Sequence, residues 1–229
     1  MVVGNGLIAR KLSGYQQDDS VVVFASGVSN SGTKDLSAYR REVDTLLAHK
    51  GTEARLVYFS TCSMFDACSS ETMYVKHKIS MEKLVAGTFR NHLIVRLPLL
   101  ISDAPNPFTF FNFIVDSIRK GRPIRVQKNA WRYIFDADEL PVFLPLVLSR
   151  EGKPGQTINM AYSNAASVPE LISICEEVLE QKTEKILVSE GCYYEFDNNL
   201  FNTFLSAGSR PFDKEVYNRE VIKKYLLKS

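Results

Sequence analysis

Four short apolar runs constrain this chain more than any other feature. They lie at 1–3 (MVV), 20–26 (SVVVFAS), 55–60 (RLVYFS) and 92–98 (HLIVRLP). Each is rich in Val, Ile, Leu, Phe and Tyr, and none alternates cleanly with polar residues. A strand with one wet face alternates at period two. A run that stays apolar throughout is buried on both faces, as in a parallel sheet covered by helices. Helix candidates separate the runs, at 7–13 before Gly14, 36–50 before Gly51, and 73–89. This alternation predicts an α/β fold with a doubly wound, mostly parallel, Rossmann-like sheet.

Beyond Pro98 the texture changes. Asn106-Pro107 opens a helix that Gly121 closes. Segments 123–128 and 131–136 read as short strands, and Asp138 caps a helix over 138–150. Segment 156–160 reads as a further strand, Ser167 N-caps an amphipathic helix, and 213–227 forms a last helix. Phe108, Phe110, Phe111 and Phe113 fall at helical spacing and read as core. The expected division is a dinucleotide-binding core over 1–105 and a small substrate-binding part over 106–229, interleaved with the core.

Composition narrows the class. The chain has 229 residues, of which 45% are apolar and 24% charged, enough to bury a core and too apolar for disorder. Lys plus Arg number 28 against 26 Asp plus Glu, a net charge of +2, far from the basic excess of a nucleic-acid binder. No run reaches the roughly 20 apolar residues that span a bilayer. The first residues do not read as a secretory leader, so a cytoplasmic protein is expected. Cys62, Cys68, Cys175 and Cys192 show no CxxC pair and no zinc spacing, so free thiols and no metal are expected.

Gly4-Asn5-Gly6-Leu7-Ile8-Ala9 is a GxGxxA turn between the first strand and the first helix. At that junction glycines let a pyrophosphate approach the backbone N–H groups at a helix N-terminus. The same six residues also suit a tight turn with no ligand. The acidic residue that grips a ribose about 20 residues on is missing, because 21–27 (VVVFASG) ends in no acid. Arg10, Lys11, Arg40 and Arg41 lie where a 2′-phosphate would need cations, which favours NADP over NAD.

Tyr74 and Lys78 form a YxxxK pair, on one face of a helix. A lysine ammonium beside a phenol favours phenolate and suits it to proton transfer at a carbonyl. Such a pair arises about once by chance in a chain of this composition, so context decides. Ser60 and Thr61 stand at the C-terminal end of a buried strand, where open α/β sheets bind ligands.

With these pieces in order, residues 1–160 resemble the extended short-chain dehydrogenases/reductases that act on nucleotide-sugars. The matching segments are GNGLIA, VVFASGVSNS, FSTCSMF, YVKHK, VRLP and WRYIFDADEL. The resemblance implies Thr61, Tyr74 and Lys78 as the catalytic set, with NADP or NAD as cofactor. Gly4, Asn5, Gly6, Leu7, Ile8, Ser26, Gly27, Ser60, Tyr74, Lys78 and Pro98 would hold the cofactor. Thr61, Asn106, Asn112 and Arg132 would hold the substrate. Asp136 and Asp138 would be structural acids. The family's dehydratases carry Asp-Glu after the Thr, where this chain has Cys62-Ser63, so dehydration is not expected. A 4-ketoreductase, similar to dTDP-4-dehydrorhamnose reductases, is expected ahead of a 4-epimerase. A non-catalytic dinucleotide sensor or scaffold is the alternative of another class. The family's dimers pair two helices, and 36–50 with 73–89 would supply them here. The interval from Thr61 to Tyr74 is short for the family, His77 receives no role, and Cys62 reads as packing.

Overall fold

The computed structural model describes residues 1–104, 106, 109–149, 155–205 and 212–227. In chain order these form β1 (Val2–Val3), α1 (Leu7–Lys11), β2 (Val21–Phe24), α2 (Leu36–Leu47), β3 (Arg55–Thr61), α3 (Met73–Thr88), β4 (His92–Leu97) and β5 (Leu99–Ile101). There follow α4 (Phe110–Arg119), β6 (Ile124–Gln127), β7 (Trp131–Arg132), β8 (Ile134–Asp136), α5 (Leu140–Ser149), β9 (Gln156–Asn159) and β10 (Ala166–Ser167). Last come α6 (Val168–Val178), β11 (Lys185–Val188), α7 (Asn199–Leu205) and α8 (Lys214–Leu226).

The apolar runs became the sheet, in the order β1-β2-β3-β4-β9, with every pair parallel. Their lack of alternation has the expected cause. Val21, Val23, Val57, Phe59, Leu93 and Val95 pack on one face against α5 and α7. Val22, Phe24, Leu56, Tyr58 and Ile94 pack on the other against Leu46 of α2 and Met81 and Val85 of α3. The result is a Rossmann-like α/β sheet covered on both sides.

The order of this sheet never turns back. Between Lys11 and Val21 the regular structure is one 3₁₀ turn, Ser13–Tyr15, so β1 is an edge strand. No strand stands in the place of the missing acidic residue. A second core, built on Ile114, Ile118, Val126, Ile172 and Ile222, joins α4, α6 and α8 to β6. Asp136 and Asp138 tie this part together. Lys11 and Lys224 bind Asp138 at 2.5 and 2.7 Å, and Lys224 and the Tyr225 hydroxyl bind Asp136 at 2.6 and 2.5 Å.

Several caps differ from the sequence reading. Helix α4 begins at Thr109, whose Oγ1 accepts from the Asn112 amide, rather than at Asn106. Asp136, not Asp138, caps the turn that leads into α5. Ser167 and Glu170 form a reciprocal capping box at α6. Pro107, Phe108 and Arg150 lie outside the described residues. The outward faces of α2 and α3 are polar, with Arg40, Arg41, Asp44, Lys76, Ser80 and Lys83 exposed. Among the described residues no helix is long and apolar enough to cross a membrane.

The four cysteines correct the expectation of free thiols. Cys68 and Cys192 form a disulfide across 124 positions, while Cys62 and Cys175 are free and buried. The cause lies in Gly191. Its φ is +95°, and a Cβ there would come within 2.4 Å of Ala130, so glycine alone lets this segment press against residue 130. That approach brings Cys192 to the loop before α3. Sequence spacing cannot report such a contact. Thiol titration in denaturant without reductant should therefore find two reactive cysteines, and four after reduction. Four before reduction would contradict the pairing.

Candidate functional site

The residues singled out by sequence gather at the C-terminal edge of the parallel strands. The Gly4–Gly6 turn follows β1, Ser26-Gly27 follows β2, Ser60-Thr61 ends β3, and Pro98 follows β4. Gly4 has φ +119°, and a Cβ would lie 2.6 Å from the Ala25 carbonyl oxygen. Its glycine is therefore required by the chain beyond β2, whatever binds. Gly6 differs. It N-caps α1 with no side-chain hydrogen bond, and a Cβ there would meet nothing within 4 Å.

Thr61 and Tyr74 meet. Thr61 is buried at the end of β3, where its Oγ1 accepts from the Ser63 amide at 3.0 Å. Tyr74 is placed by the first turn of α3, which Thr72 caps. Burial pushes the Tyr74 phenol up to about 12. A hydrogen bond with Thr61 pulls it down, while the Glu42 charge pushes it further up. At neutral pH this phenol holds its proton.

The bonds that Lys78 makes go to other groups than Tyr74. Its ammonium has three hydrogens to donate and no acceptor. They go to Glu42 Oε1 at 2.9 Å, Tyr58 Oη at 3.0 Å and the Phe59 carbonyl at 3.3 Å. The resemblance implied a lysine that lowers the tyrosine. Here the ammonium is occupied elsewhere, and Tyr74 is shifted in the opposite sense.

Glu42 explains the difference, and sequence reasoning passed over it. It is 1% exposed in the middle of α2. Its carboxylate accepts from the Val28 amide at 2.7 Å, Tyr58 Oη at 2.7 Å and Lys78 Nζ at 2.9 Å, and pairs with His77 Nε2 at 3.0 Å. Burial alone would raise this carboxyl. The His77 bond, the Lys78 charge and the Val28 and Tyr58 bonds outweigh burial and hold it at about 2. The available signal was an acid on the buried face of α2, between Tyr39 and Leu46. His77, given no role from sequence, bonds Glu42 and packs against the Tyr39 ring, centroids 4.5 Å apart.

The other expected residues fall into two smaller groups. Asn112 Nδ2 donates to the carbonyls of Ala104 and Asn106, both at 2.8 Å, so these two asparagines brace the segment before α4. Arg132 donates to the Trp131 carbonyl at 2.7 Å and pairs with buried Asp66 at 3.4 Å. Burial pushes the Cys62 thiol up, which leaves it a poor nucleophile.

A dinucleotide finds a partial fit. Ser60 Oγ is buried without a hydrogen-bond partner at this edge, two residues along β3 from Tyr58 and on the same face. With the open turn at Gly6, it suits the pyrophosphate–nicotinamide half. For the adenosine half, the described residues place no strand beyond β1.

A parallel sheet with a glycine turn at its first strand carries a hydroxyl–phenol pair at the end of its middle strand. Solved structures share this Rossmann-like fold. UDP-glucuronic acid 4-epimerase from Bacillus cereus, in complex with UDP-glucuronic acid and NAD, superposes with a TM-score of 0.73 at 19% identity, over 98% of this chain and 80% of that one. A dTDP-4-dehydrorhamnose reductase from Clostridium acetobutylicum gives 0.71 at 15%, over 98% and 86%. dTDP-glucose 4,6-dehydratase from Bacillus anthracis, in complex with NAD, gives 0.72 at 15%, over 99% and 79%. At these identities the likeness is one of fold. No protein-family model matches the sequence, and no curated protein does.

The ion pair makes a stability prediction. Lys78→Met strands a buried carboxylate, and denaturant unfolding should show a loss of about 3–5 kcal/mol. Glu42 is held at about 2 against an ordinary 4.5. Its contribution is present above the ordinary value and is lost as pH falls towards 2. Lys78→Met should flatten that acid limb, and a variant as stable as wild type would contradict the pairing.

Proposed function

We propose that this chain is an NAD(P)-dependent oxidoreductase that reduces the 4-keto group of a nucleotide-sugar. The observation that carries this reading is the hydrogen-bonded Thr61–Tyr74 pair, with its phenol protonated at neutral pH. A carbonyl being reduced must receive a proton on oxygen, and a protonated phenol is suited to give it. An epimerase must first remove a proton from a sugar hydroxyl, which a phenol held at about 12 does poorly. The same observation therefore favours reductase over epimerase.

Gly4, Asn5, Gly6, Leu7 and Ile8 would hold the pyrophosphate, and Ser26, Gly27, Ser60 and Pro98 the nicotinamide side. When bound, the nicotinamide supplies the hydride. Tyr74 donates its proton to the sugar carbonyl oxygen, and Thr61 holds that oxygen in place. Residues 106–229 would supply the substrate side, with Asn106, Asn112 and Arg132 as the side chains to meet sugar or diphosphate. Lys11 is engaged by Asp138, so the preference for NADP rests on Arg10, Arg40 and Arg41.

A second reading is favoured by the occupied donors of Lys78 and by β1 being the edge strand among the described residues. In it the chain is a nucleotide-binding scaffold that turns nothing over. Nicotinamide fluorescence separates the two. NADPH or NADH should bind with a Kd below about 1 mM. Tyr74→Phe should keep that binding and slow reduction of a 4-keto nucleotide-sugar by a factor of about 100 to 10,000. Failure of both cofactors to bind would leave the scaffold reading.

A further inference from the structure

We propose that the Cys68–Cys192 disulfide is a redox-operated latch. Oxidised, it fastens the loop between Thr61 and Tyr74 to the segment after β11; reduced, it frees the outer part of that loop at the rim of the sheet. The inference goes beyond the oxidoreductase reading, and its test needs neither cofactor nor turnover.

The two ends of the loop carry the candidate site. Residues 62–72 start one position past Thr61, and Thr72 caps the helix whose second residue is Tyr74. The base of the loop is held without the disulfide. The Phe65 ring packs on Phe196, centroids 5.6 Å apart, and buried Asp66 pairs with Arg132 at 3.4 Å. Asp66 also accepts from the Cys68 amide at 3.0 Å and from Ser69 Oγ at 2.8 Å. Past Asp66 the chain is exposed at Ala67, Cys68, Glu71 and Thr72. Glu71 pairs with Lys76, which keeps that bond between the loop and its own helix. The disulfide is thus the tie that fastens the outer part of the loop across to Cys192.

The other side of the latch is anchored independently. Residues 189–198 carry no regular structure, yet both ends are pinned. At one end Gly191 presses on Ala130. At the other, Asn159 Nδ2 donates to the Asp197 carbonyl at 2.6 Å, and Asn198 Nδ2 to the Ala161 carbonyl at 2.9 Å. Between them Tyr133 Oη donates to the Tyr194 carbonyl at 2.8 Å. When the bond breaks, this segment stays on the body and the loop gains freedom.

Cys68 is exposed and Cys192 half-buried, so a dithiol reaches the Cys68 sulfur first. One reductant thiolate bonds to that sulfur, the S–S bond breaks, and the electron pair leaves on Cys192, which takes a proton. The second reductant thiol then displaces Cys68, which takes the other proton. The dithiol departs as a disulfide, and two electrons have passed. Cys62 and Cys175 are free and buried, so exchange falls on this one pair.

Hydrogen exchange of the whole chain, before and after dithiothreitol, tests the latch. Peptides covering 66–72 should exchange about ten times faster or more once reduced. Strands β3 and β4 should keep their rates, as should the Trp131 amide, which donates to the Cys192 carbonyl at 3.2 Å. Reoxidation should restore the slow loop, and Cys68→Ser should show the fast loop with or without dithiothreitol. Should that variant not fold, the native chain decides alone. Equal rates over 66–72 in the oxidised and reduced chain would overturn the proposal. Protection lost through β3 and β4 as well would also overturn it, because the bond would then hold the whole fold and not one loop.

Discussion

One carboxylate organises the centre of this molecule. Glu42 sits on α2, yet its partners come from the loop after β2, from β3 and from α3. Removing two charges from water is costly, and an incompletely bonded pair would destabilise the fold. Here the pairing is complete, so the cluster ties two helices to β3 and to the loop after β2. On the same helix α3 stands Tyr74, whose phenol is raised first of all by burial.

The sheet supplies the second constraint. Strands buried on both faces force their polar functions to the ends, and the hydroxyls of Ser60 and Thr61 appear where β3 emerges from the core. With β1 at the edge, the rim of the sheet is bordered by β4 and β9 on one side and ends at β1 on the other. The solved structures of this fold are longer: the chain is matched over 98–99% of its length and covers about four fifths of theirs.

The sheet was legible in the sequence because the runs 20–26, 55–60 and 92–98 carry a signal that is local and repeated. Thr61 and Tyr74 were legible for the same reason, each standing at the boundary of a strongly patterned element. What was hidden depended on contacts across long separations. Glu42 meets Lys78 36 positions away, and nothing in α2 alone says that its acid is paired. Cys68 meets Cys192 only because Gly191 permits a close pass by Ala130. The short strand β11 and helix α7 carry too little periodicity to stand out, and they exist because β6 and the aromatic core hold them. Asn106 was read as a cap, but Thr109 took that place and left Asn106 as an acceptor for Asn112. In each case a tertiary partner decided what local preference left open.

The account stands on Tyr74 as a proton donor in a hydride-coupled reduction. The most direct measurement is the transfer of deuterium from C4-deuterated NADPH or NADH to a 4-keto nucleotide-sugar, followed by mass spectrometry of the product. The account predicts one deuterium at the sugar's C4 for each cofactor oxidised. A bound nucleotide-sugar recovered without deuterium, with the cofactor still reduced, would contradict it.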